Sequence, residues 1–352
     1  MSKDQKVLIK NIYYMLAYAF QALKQSGFEE LASEEFENIH DLMAAILVQG
    51  IARQLKQGLY REYVAELDHL PVFRGKLEIR GIIRNKLHRR QQLFCEYDEL
   101  SENNLFNQIL KTAALILLRH SAVGMERRKA LKKSILLFGH VDTLDPFSIK
   151  WNRLRFHRNN RSYRMMLNIC YFVLHGLLQT TEKGTYKMAS FLNGQDMSRL
   201  YEKFVLEYFR FHHSDLRPAA SQVVWNVEED ATELLPVMQT DVTLKHGDKI
   251  LIIDTKYYSR IIRDHYDRQK LHSDNLYQIF TYVKNQDADG TGNVAGMLLY
   301  AKTDESIAPD CEFTMGGNKI MVKTIDLNTD FKNIAAQLDR IAESVRKNFS
   351  KV

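Results

Sequence analysis

The sequence is poor in cysteine and proline, and it has no long apolar run. Its 352 residues include three cysteines (Cys95, Cys170 and Cys311) and five prolines. Three widely separated cysteines exclude both a disulfide framework and a zinc-binding spacing, which favours a reducing cytoplasm as the location. The low proline content and the 45% of hydrophobic residues indicate a compact globular protein without long disordered linkers.

Two further absences exclude two classes of function. Residues 2–10 are largely polar and charged, which predicts no secretory signal peptide, and apolar stretches such as 113–118 are too short to cross a membrane. The sequence contains no G-x-x-x-x-G-K-[ST] motif, so we expect no P-loop nucleotide hydrolysis by this chain. Any GTP dependence would therefore come from a partner that binds the GTP.

Length and pattern predict two domains of the α/β class. We expect an N-terminal α+β domain over residues 1–160 and a second domain over residues 161–352 that is built on a central mixed sheet. Apolar periodicity predicts helices over 8–25, 41–55, 104–120, 162–178, 198–212, 273–282 and 330–348, and strands over 58–66, 72–80, 237–244, 249–254 and 293–300. The net charge of +6 and the pI near 9.0 are compatible with an acidic partner such as nucleic acid.

The clearest local pattern is LLPVMQTDVTLKHGDKILIIDTKYY, residues 234–258. Strand-forming residues over 237–244 and an apolar run over 250–253 flank the turn signal 246–248, which predicts a hairpin. Because side chains alternate along a strand, Asp254 and Lys256 point to the same side, and Asp241 on the neighbouring strand could lie beside Asp254.

This hairpin carries charge to the rim of an apolar core. Burial of Asp254 and Lys256 there costs free energy unless a metal or a substrate compensates. Two carboxylates and an ammonium at one point on a sheet suit metal-dependent cleavage of a phosphodiester. Asp-x-Lys alone is weak, since chance yields it about once in a chain of this size, and by itself it indicates an exposed ion pair.

Two predicted helices supply the context for that tripeptide. In helix 198–212, Glu202 falls inside the apolar arc, so it is either an interfacial carboxylate or a third acid of the site. In helix 273–282, for which Ser273 or Asp274 is the expected N-cap, Gln278 and Tyr282 share one face. Both side chains can hydrogen-bond to a phosphate or to the carboxylates, although a buried helical tyrosine is usually a core residue.

In order, these elements are a helix with Glu, a strand with Asp, a strand with Asp-x-Lys, a helix with Gln-x-x-x-Tyr and a strand. The order resembles the PD-(D/E)xK nuclease superfamily, in its subgroup with the Gln-x-x-x-Tyr helix. Pro236 lies five residues before Asp241, so the Pro-Asp dipeptide of the superfamily name is absent.

Four further blocks extend the resemblance over nearly the whole chain. Residues 11–20 (NIYYMLAYAF), 102–107 (ENNLFN) with Lys111, the LLP block at Leu234 and residues 273–278 (SDNLYQ) are similar to McrC, the family of nuclease subunits in McrBC modification-dependent restriction systems. Gln239 stands where that family often has Glu, which removes a carboxylate at position 239 and leaves Asp241 in place.

The resemblance implies roles for seven residues. Asp241, Asp254 and the Thr255 carbonyl would hold Mg²⁺, which prefers hard oxygen ligands. Lys256 would orient the attacking water or stabilise the oxyanion. Glu202, Gln278 and Tyr282 complete the predicted site, Glu202 as a further metal ligand and the other two as supports of its geometry.

The resemblance also implies partners. It predicts an endonuclease subunit that acts on double-stranded DNA with an McrB-like, ring-forming GTPase, which binds the GTP and recognises 5-methylcytosine. The N-terminal domain would dock on that ring and stimulate GTP hydrolysis, and the nuclease domain could dimerise. Two alternatives stay open: a non-catalytic adaptor that only activates the ring, and a stand-alone repair nuclease of the same superfamily.

Basic residues concentrate in two runs, 74–90 and 150–164. The first holds seven cations and the single acid Glu78; the second holds six cations and no acid, with Trp151, Phe156 and Tyr163 among them. Each run is a solvated face, a DNA backbone contact or a docking surface, and the sequence leaves these open. No pattern indicates a base-reading pocket, so we expect the chain alone to bind DNA weakly, with strong salt dependence and no preference for methylated duplex.

Overall fold

The computed structural model describes residues 3–20, 34, 36, 38–178, 194–227, 234–257, 263–265, 268–270, 272–302 and 309–347. Internal contacts divide the chain into two compact units, one of residues 40–189 and one of residues 1–39 with 190–352. This division differs from the boundary expected at residue 160. The assignment of residues 1–160 to partner docking stays a prediction.

The chain opens with α1 (Lys3–Ala19), which belongs to the unit that contains residues 190–352; positions 21–25 of the predicted helix lie outside the described residues. The elements that follow, in the unit of residues 40–189, are α2 (Ile39–Gln57), β1 (Glu62–Leu70), β2 (Lys76–Leu77), α3 (Ile79–Leu87), β3 (Leu93–Ser101), α4 (Leu105–Arg119), α5 (Met125–Ile135) and α6 (Tyr163–Leu178). Helix α6 was expected to open the second domain, and its contacts place it here instead, against α4.

Strands β1, β3 and β2 form an antiparallel sheet in this order. The predicted strand 72–80 is wrong over most of its length, because only Lys76–Leu77 pairs and α3 begins at Ile79. The carboxylate of Glu78 caps that helix by accepting bonds from the backbone N–H groups of Arg80 and Gly81, which stabilises a helix start. Gly81 lets α3 approach β3, since a Cβ there would lie 2.0 Å from Phe94.

The block 102–107 has a structural role in the same unit. Asn104 caps α4, and the side-chain amides of Asn104 and Asn107 both donate to the carbonyl of Tyr60, at 2.8 Å each. The Tyr163 hydroxyl donates to Asn107 Oδ1 at 2.9 Å and accepts from the Tyr60 backbone N–H. These buried polar groups connect the chain before β1 to the starts of α4 and α6.

The second unit is built on a five-stranded sheet, and its elements after α1 are α7 (Gly194–His212), β4 (Gln222–Val223), β5 (Met238–Gln239), β6 (Val242–His246), β7 (Lys249–Tyr257), β8 (Arg263–His265), β9 (Arg268–Lys270), α8 (Ser273–Gln286), β10 (Val294–Lys302), β11 (Cys311–Met315), β12 (Asn318–Asp326) and α9 (Phe331–Arg346). The strand order is β11-β12-β10-β7-β6; β12, β10 and β7 are parallel, and both edge strands are antiparallel to their neighbours. The predicted mixed sheet is therefore confirmed, with β7 and β10 longer than expected.

The predicted strand 237–244 is divided into two. Strand β5 pairs with β4 in a small separate sheet, and β6 pairs with β7 in the main one. Thr240 lies between these two strands and forms two hydrogen bonds with the backbone of Ser221. The Thr240 N–H donates to the Ser221 carbonyl at 2.9 Å, and Thr240 Oγ1 accepts from the Ser221 N–H at 3.0 Å. Asp241 therefore follows a bend and lies just before the first residue of β6.

Helices cover the main sheet. Helix α8 connects β7 to β10 and packs through Ile279 and Val283 on Ile252 and Leu298. Helix α7 contacts β7, and α1 packs on α7. Asn11, in the middle of α1, fixes this helix to the same unit, because its side-chain amide donates to the carbonyls of Leu327 and Thr329 at 2.7 and 2.8 Å. Within the described ranges, no helix is long and apolar enough to cross a membrane.

Candidate active site

The centre of the site is the end of β7. Its apolar run buries Leu251, Ile252 and Ile253 completely or nearly so, and Asp254, the next residue, is only 3% exposed. Lys256 points to the same side of the strand, and its Nζ lies 2.8 Å from Asp254 Oδ2. The predicted alternation thus brings a buried carboxylate and a nearly buried ammonium into direct contact.

Asp241 reaches the same strand from the bend before β6. Its Oδ2 accepts two hydrogen bonds from Thr255, at 2.7 Å from the backbone N–H and at 2.8 Å from Oγ1. Standard bond lengths then place this oxygen within about 6 Å of the Asp254 Cα. The structure therefore brings Asp241 and Asp254 together, as the sequence predicts.

The Thr255 carbonyl lies beside these carboxylates. The N–H and C=O of one strand residue point to the same edge of the strand, so this carbonyl points to the edge on which Asp241 accepts the Thr255 N–H. The β6–β7 pairing ends at Val242 and Ile253. The Thr255 carbonyl is therefore directed past the last residue of β6, on the side of Asp241.

Helix α8 completes a chain of polar contacts. Lys256 Nζ donates to Gln278 Oε1 at 3.1 Å, and Gln278 Nε2 donates to the Tyr282 hydroxyl at 3.0 Å. Gln278 and Tyr282 lie one helical turn apart, which is why they meet. The helix begins after His272, so the N-cap expected at Ser273 or Asp274 is wrong by one or two residues.

Glu202 on α7 belongs to the same group of charges, although its side chain is exposed and not within the apolar interface. The pKa of its carboxyl is raised to about 7, chiefly by partial loss of hydration and also by the charges of Asp241 and Asp254, while Lys256 and Arg199 oppose this shift. The pKa of Asp254 is raised to about 6, because burial and the charge of Asp241 together outweigh the lowering effect of Lys256. The site thus concentrates negative charge at low hydration.

The donor atoms suit a hard divalent cation. Asp254 Oδ2 is buried, and its contact with Lys256 is an ion pair without the angles of a directed hydrogen bond. Among the described residues, no three His, Cys, Asp or Glu side chains are grouped closely enough to hold a metal ion. A ligand set would therefore consist of Asp241, Asp254 and the Thr255 carbonyl with water, which is a common arrangement for Mg²⁺.

Two further residues next to the site were not predicted. Tyr300 on β10 lies opposite Lys256 in the parallel register and is fully buried. The side-chain amide of Asn275 donates to the Tyr300 hydroxyl at 3.0 Å. Asn275 lies three residues before Gln278 and so shares its helix face, which is the sequence signal that could have identified it.

Comparison with known proteins gives three results that agree. The family model described as "McrBC 5-methylcytosine restriction system component" matches residues 2–301. A restriction enzyme of Escherichia coli K12, the type IV methyl-directed EcoKMcrBC, is 28% identical over 343 residues, which cover 95% of this chain and 97% of that protein. A solved assembly of Thermococcus gammatolerans McrB AAA+ hexamers with bound McrC contains a chain of similar fold, with a TM-score of 0.53 and 19% identity over 95% of this chain and 76% of that one.

Proposed function

Because this chain belongs to the family of McrBC 5-methylcytosine restriction system components, we propose that it is the subunit that cuts double-stranded DNA in such a system. The observation that carries the proposal is the continuous contact from Asp254 through Lys256 and Gln278 to Tyr282, with Asp241 bonded to the next residue of the same strand. We assign the unit that contains it to the PD-(D/E)xK nucleases.

Each residue of the site then has a defined task. Asp241, Asp254 and the Thr255 carbonyl would hold Mg²⁺, and the chemistry supplied by the bound ion would be to acidify a water molecule and to neutralise charge on the phosphate. Lys256, freed from part of its ion pair with Asp254, orients that water or stabilises the developing oxyanion. Gln278 fixes the ammonium of Lys256, and Tyr282 fixes the amide of Gln278.

Glu202 adds a titratable carboxyl at the edge of this group. Its pKa of about 7 lies in the range that suits proton exchange with water at neutral pH. As an exposed side chain it reaches solvent, so a proton taken there can leave the site. We propose proton acceptance as its task, with metal ligation as the alternative.

The partner in this proposal is a ring-forming GTPase like McrB, and the unit of residues 40–189 offers a surface for it. Helix α3 exposes Ile79, Ile83 and Leu87, at 70%, 54% and 78%, on one stripe, and the neighbouring Val72 and Phe73 are exposed as well. Exposed apolar groups in contact with one another mark protein interaction sites. We propose that this stripe docks on the GTPase and that docking stimulates GTP hydrolysis.

The test reconstitutes the chain with its GTPase partner and measures cleavage of methylated DNA and GTP hydrolysis in parallel. We expect Asp254→Asn and Lys256→Ala to lose cleavage by a factor of at least about 100 while GTP hydrolysis stays stimulated. The matched control is Lys302→Ala, which removes a lysine from the ion pair with Asp326 on the same sheet and should leave cleavage unchanged.

Three other results would each contradict the proposal. Undiminished cleavage by Asp254→Asn would place the chemistry elsewhere. Stimulated GTP hydrolysis without any cleavage by the unmodified chain would indicate a non-catalytic adaptor. Equal cleavage with and without the GTPase would indicate a stand-alone nuclease.

A further inference from the structure

The segment that precedes α6 has a charge distribution that the proposed chemistry does not use. Residues 150–164, here called the arginine segment, contain Lys150, Arg153, Arg155, Arg158, Arg161 and Arg164 and no acidic residue. The first five of these side chains are exposed and Arg164 is half-buried. Six positive charges within fifteen positions repel one another, so the segment gains stability from a polyanion.

Three of these arginines have no carboxylate partner among the residues that the structure describes. Over the described ranges, Arg153, Arg155 and Arg158 have no carboxylate within ion-pair distance. Other arginines of the same unit are paired, as Arg61 is with Glu102 at 2.7 Å. The guanidinium groups of Arg153, Arg155 and Arg158, which are exposed, are therefore available to an external ligand.

The backbone of the arginine segment is held in place, although it lacks long regular elements. Asn160 is fully buried; its amide donates to the Arg155 carbonyl at 3.0 Å, and its Oδ1 accepts the His157 N–H at 2.8 Å. His157 Nε2 lies 3.0 Å from the Tyr60 hydroxyl. A preorganised backbone lowers the entropy that the arginines lose when they bind a ligand.

Two aromatic residues of the segment pack against aromatic residues of neighbouring helices. The Trp151 ring packs edge-on against Tyr171 at 5.0 Å, and the Phe156 ring packs against Phe106 at 5.7 Å. Phe156 stays 39% exposed beside the five exposed cations of the segment. Such a surface recognises phosphates, because guanidinium groups form paired hydrogen bonds with phosphate oxygens.

The other basic run differs in this respect. Arg80, Arg84 and Lys86 lie on α3 among the exposed apolar side chains of its stripe. A surface that combines exposed isoleucine and leucine with basic groups suits a protein partner. The two runs, which look alike as sequences, are thus distinguished by their apolar surroundings.

We propose that the arginine segment binds the phosphate backbone of double-stranded DNA and that the basic run on α3 does not. The proposal rests on the proposed function, since it assigns the surface that holds the substrate of that nuclease. The contacts are to the backbone and read no bases, so they position the duplex without selecting its sequence or its methylation.

The test compares two triple variants of equal charge change in the full-length chain. One is Arg153→Gln, Arg155→Gln and Arg158→Gln, and the matched control is Arg80→Gln, Arg84→Gln and Lys86→Gln. Binding to an unmethylated duplex of about 30 base pairs is titrated between 50 and 200 mM salt. Affinity falls with salt, and each phosphate contact that is lost reduces the magnitude of the slope of log K against log salt by about 0.9. The magnitude of the slope should therefore be smaller by about 2 to 3 in the first variant. This variant should also bind at least tenfold more weakly at 50 mM salt.

The control variant should keep both the slope and the affinity of the unmodified chain. Equal losses in the two variants would show a nonspecific charge effect and overturn the proposal, as would an unchanged slope in the first variant. Circular dichroism of both variants checks that each is folded. Cleavage by Asp254→Asn is measured separately, so a failure of the nuclease assignment is distinguishable from a failure of this surface.

Discussion

Asp254 is expected to destabilise the folded chain when no cation is bound, so Asp254→Asn should stabilise it. In the unfolded chain the carboxyl ionises near its ordinary pKa of 3.8, and burial raises this pKa to about 6 in the folded chain. Between these values the folded state binds more protons, so stability falls as pH rises from about 4 to 6. At about 1.4 kcal/mol for each pH unit, the ionised carboxylate costs about 3 kcal/mol at pH 7.

Asparagine has the shape of the neutral acid and keeps an oxygen for Lys256. The variant should therefore gain up to about 3 kcal/mol in the free energy of unfolding at pH 7 and less than about 1 kcal/mol at pH 4. The measurement is urea unfolding with EDTA present. The chain has two tryptophans, so a Trp151→Phe background leaves Trp225 as the single reporter, in the unit that contains the site.

The matched control is the same substitution at Asp287, a buried aspartate whose pKa is lowered in the folded chain, whereas that of Asp254 is raised. Burial raises the pKa of Asp287, but hydrogen bonds from Thr291, Asn318 and Gly292 outweigh this effect and lower the pKa to about 2. The ionised Asp287 carboxylate stabilises the folded chain at neutral pH, and this contribution is lost as pH falls through about 2. Asp287→Asn should therefore lower the free energy of unfolding by about 2 kcal/mol at pH 7.

Magnesium supplies the second half of the experiment. Added Mg²⁺ should stabilise the chain that retains Asp254 and have little effect on Asp254→Asn, because only the former holds the cation. A variant that is less stable than the parent at pH 7 in EDTA would refute the reasoning. The same conclusion would follow if both chains gained equal stability from Mg²⁺.

Three other predictions concern activity. Cleavage at saturating GTP should rise with pH between about 6 and 8, because Glu202, the proposed proton acceptor, has a pKa of about 7 and must lose its proton; a flat profile from pH 5.5 to 8 would contradict this. Tyr282→Phe should slow cleavage about tenfold without changing GTPase stimulation, since it removes only the acceptor of the Gln278 amide, and a loss of stimulation in the same assay would show misfolding instead. Ile83→Asp should reduce stimulation of the GTPase at least tenfold, whereas Leu136→Asp, at a site 73% exposed and outside the stripe, should not.

The sequence predicted the features of the site that depend on local periodicity. Alternation along β7 correctly placed Asp254 beside Lys256, and the four-residue spacing correctly placed Gln278 beside Tyr282. Both rules depend only on the type of element, which the apolar run and the helix pattern make clear. The metal, the substrate and the role of each side chain stay predictions.

The errors arose where a side chain competes with the backbone pattern. Thr240 bonds to Ser221 and ends one strand before the next begins, so the β-forming residues around Asp241 do not make a single strand. Glu78 likewise starts a helix where alternation predicted a strand. Such local hydrogen bonds depend on the positions of neighbouring backbone groups, which composition does not reveal.

A third feature, which the sequence did not predict, is a set of contacts between residues far apart in the chain. The pattern of α1 correctly predicted a helix, but nothing in it indicated that Asn11 would bond to the carbonyls of residues 327 and 329. Tyr14 stacks on Phe331 at 4.2 Å in the same region. Contacts across more than 300 residues are specified by the assembled unit and not by either segment alone.

This arrangement of α1 has a consequence for synthesis on the ribosome. Met15, Leu16 and Ala17 are buried against a unit whose next element, α7, begins at Gly194. At about 5 to 20 residues per second, α1 leaves the ribosome roughly ten to forty seconds before α7 is made. During that time the unit of residues 40–189 can complete its own fold, while the apolar face of α1 has no partner within its own unit. The apolar face of α1 thus stays uncovered on the nascent chain until the residues from 194 onwards have been made, so the unit that contains α1 folds only after the unit of residues 40–189 has been synthesised.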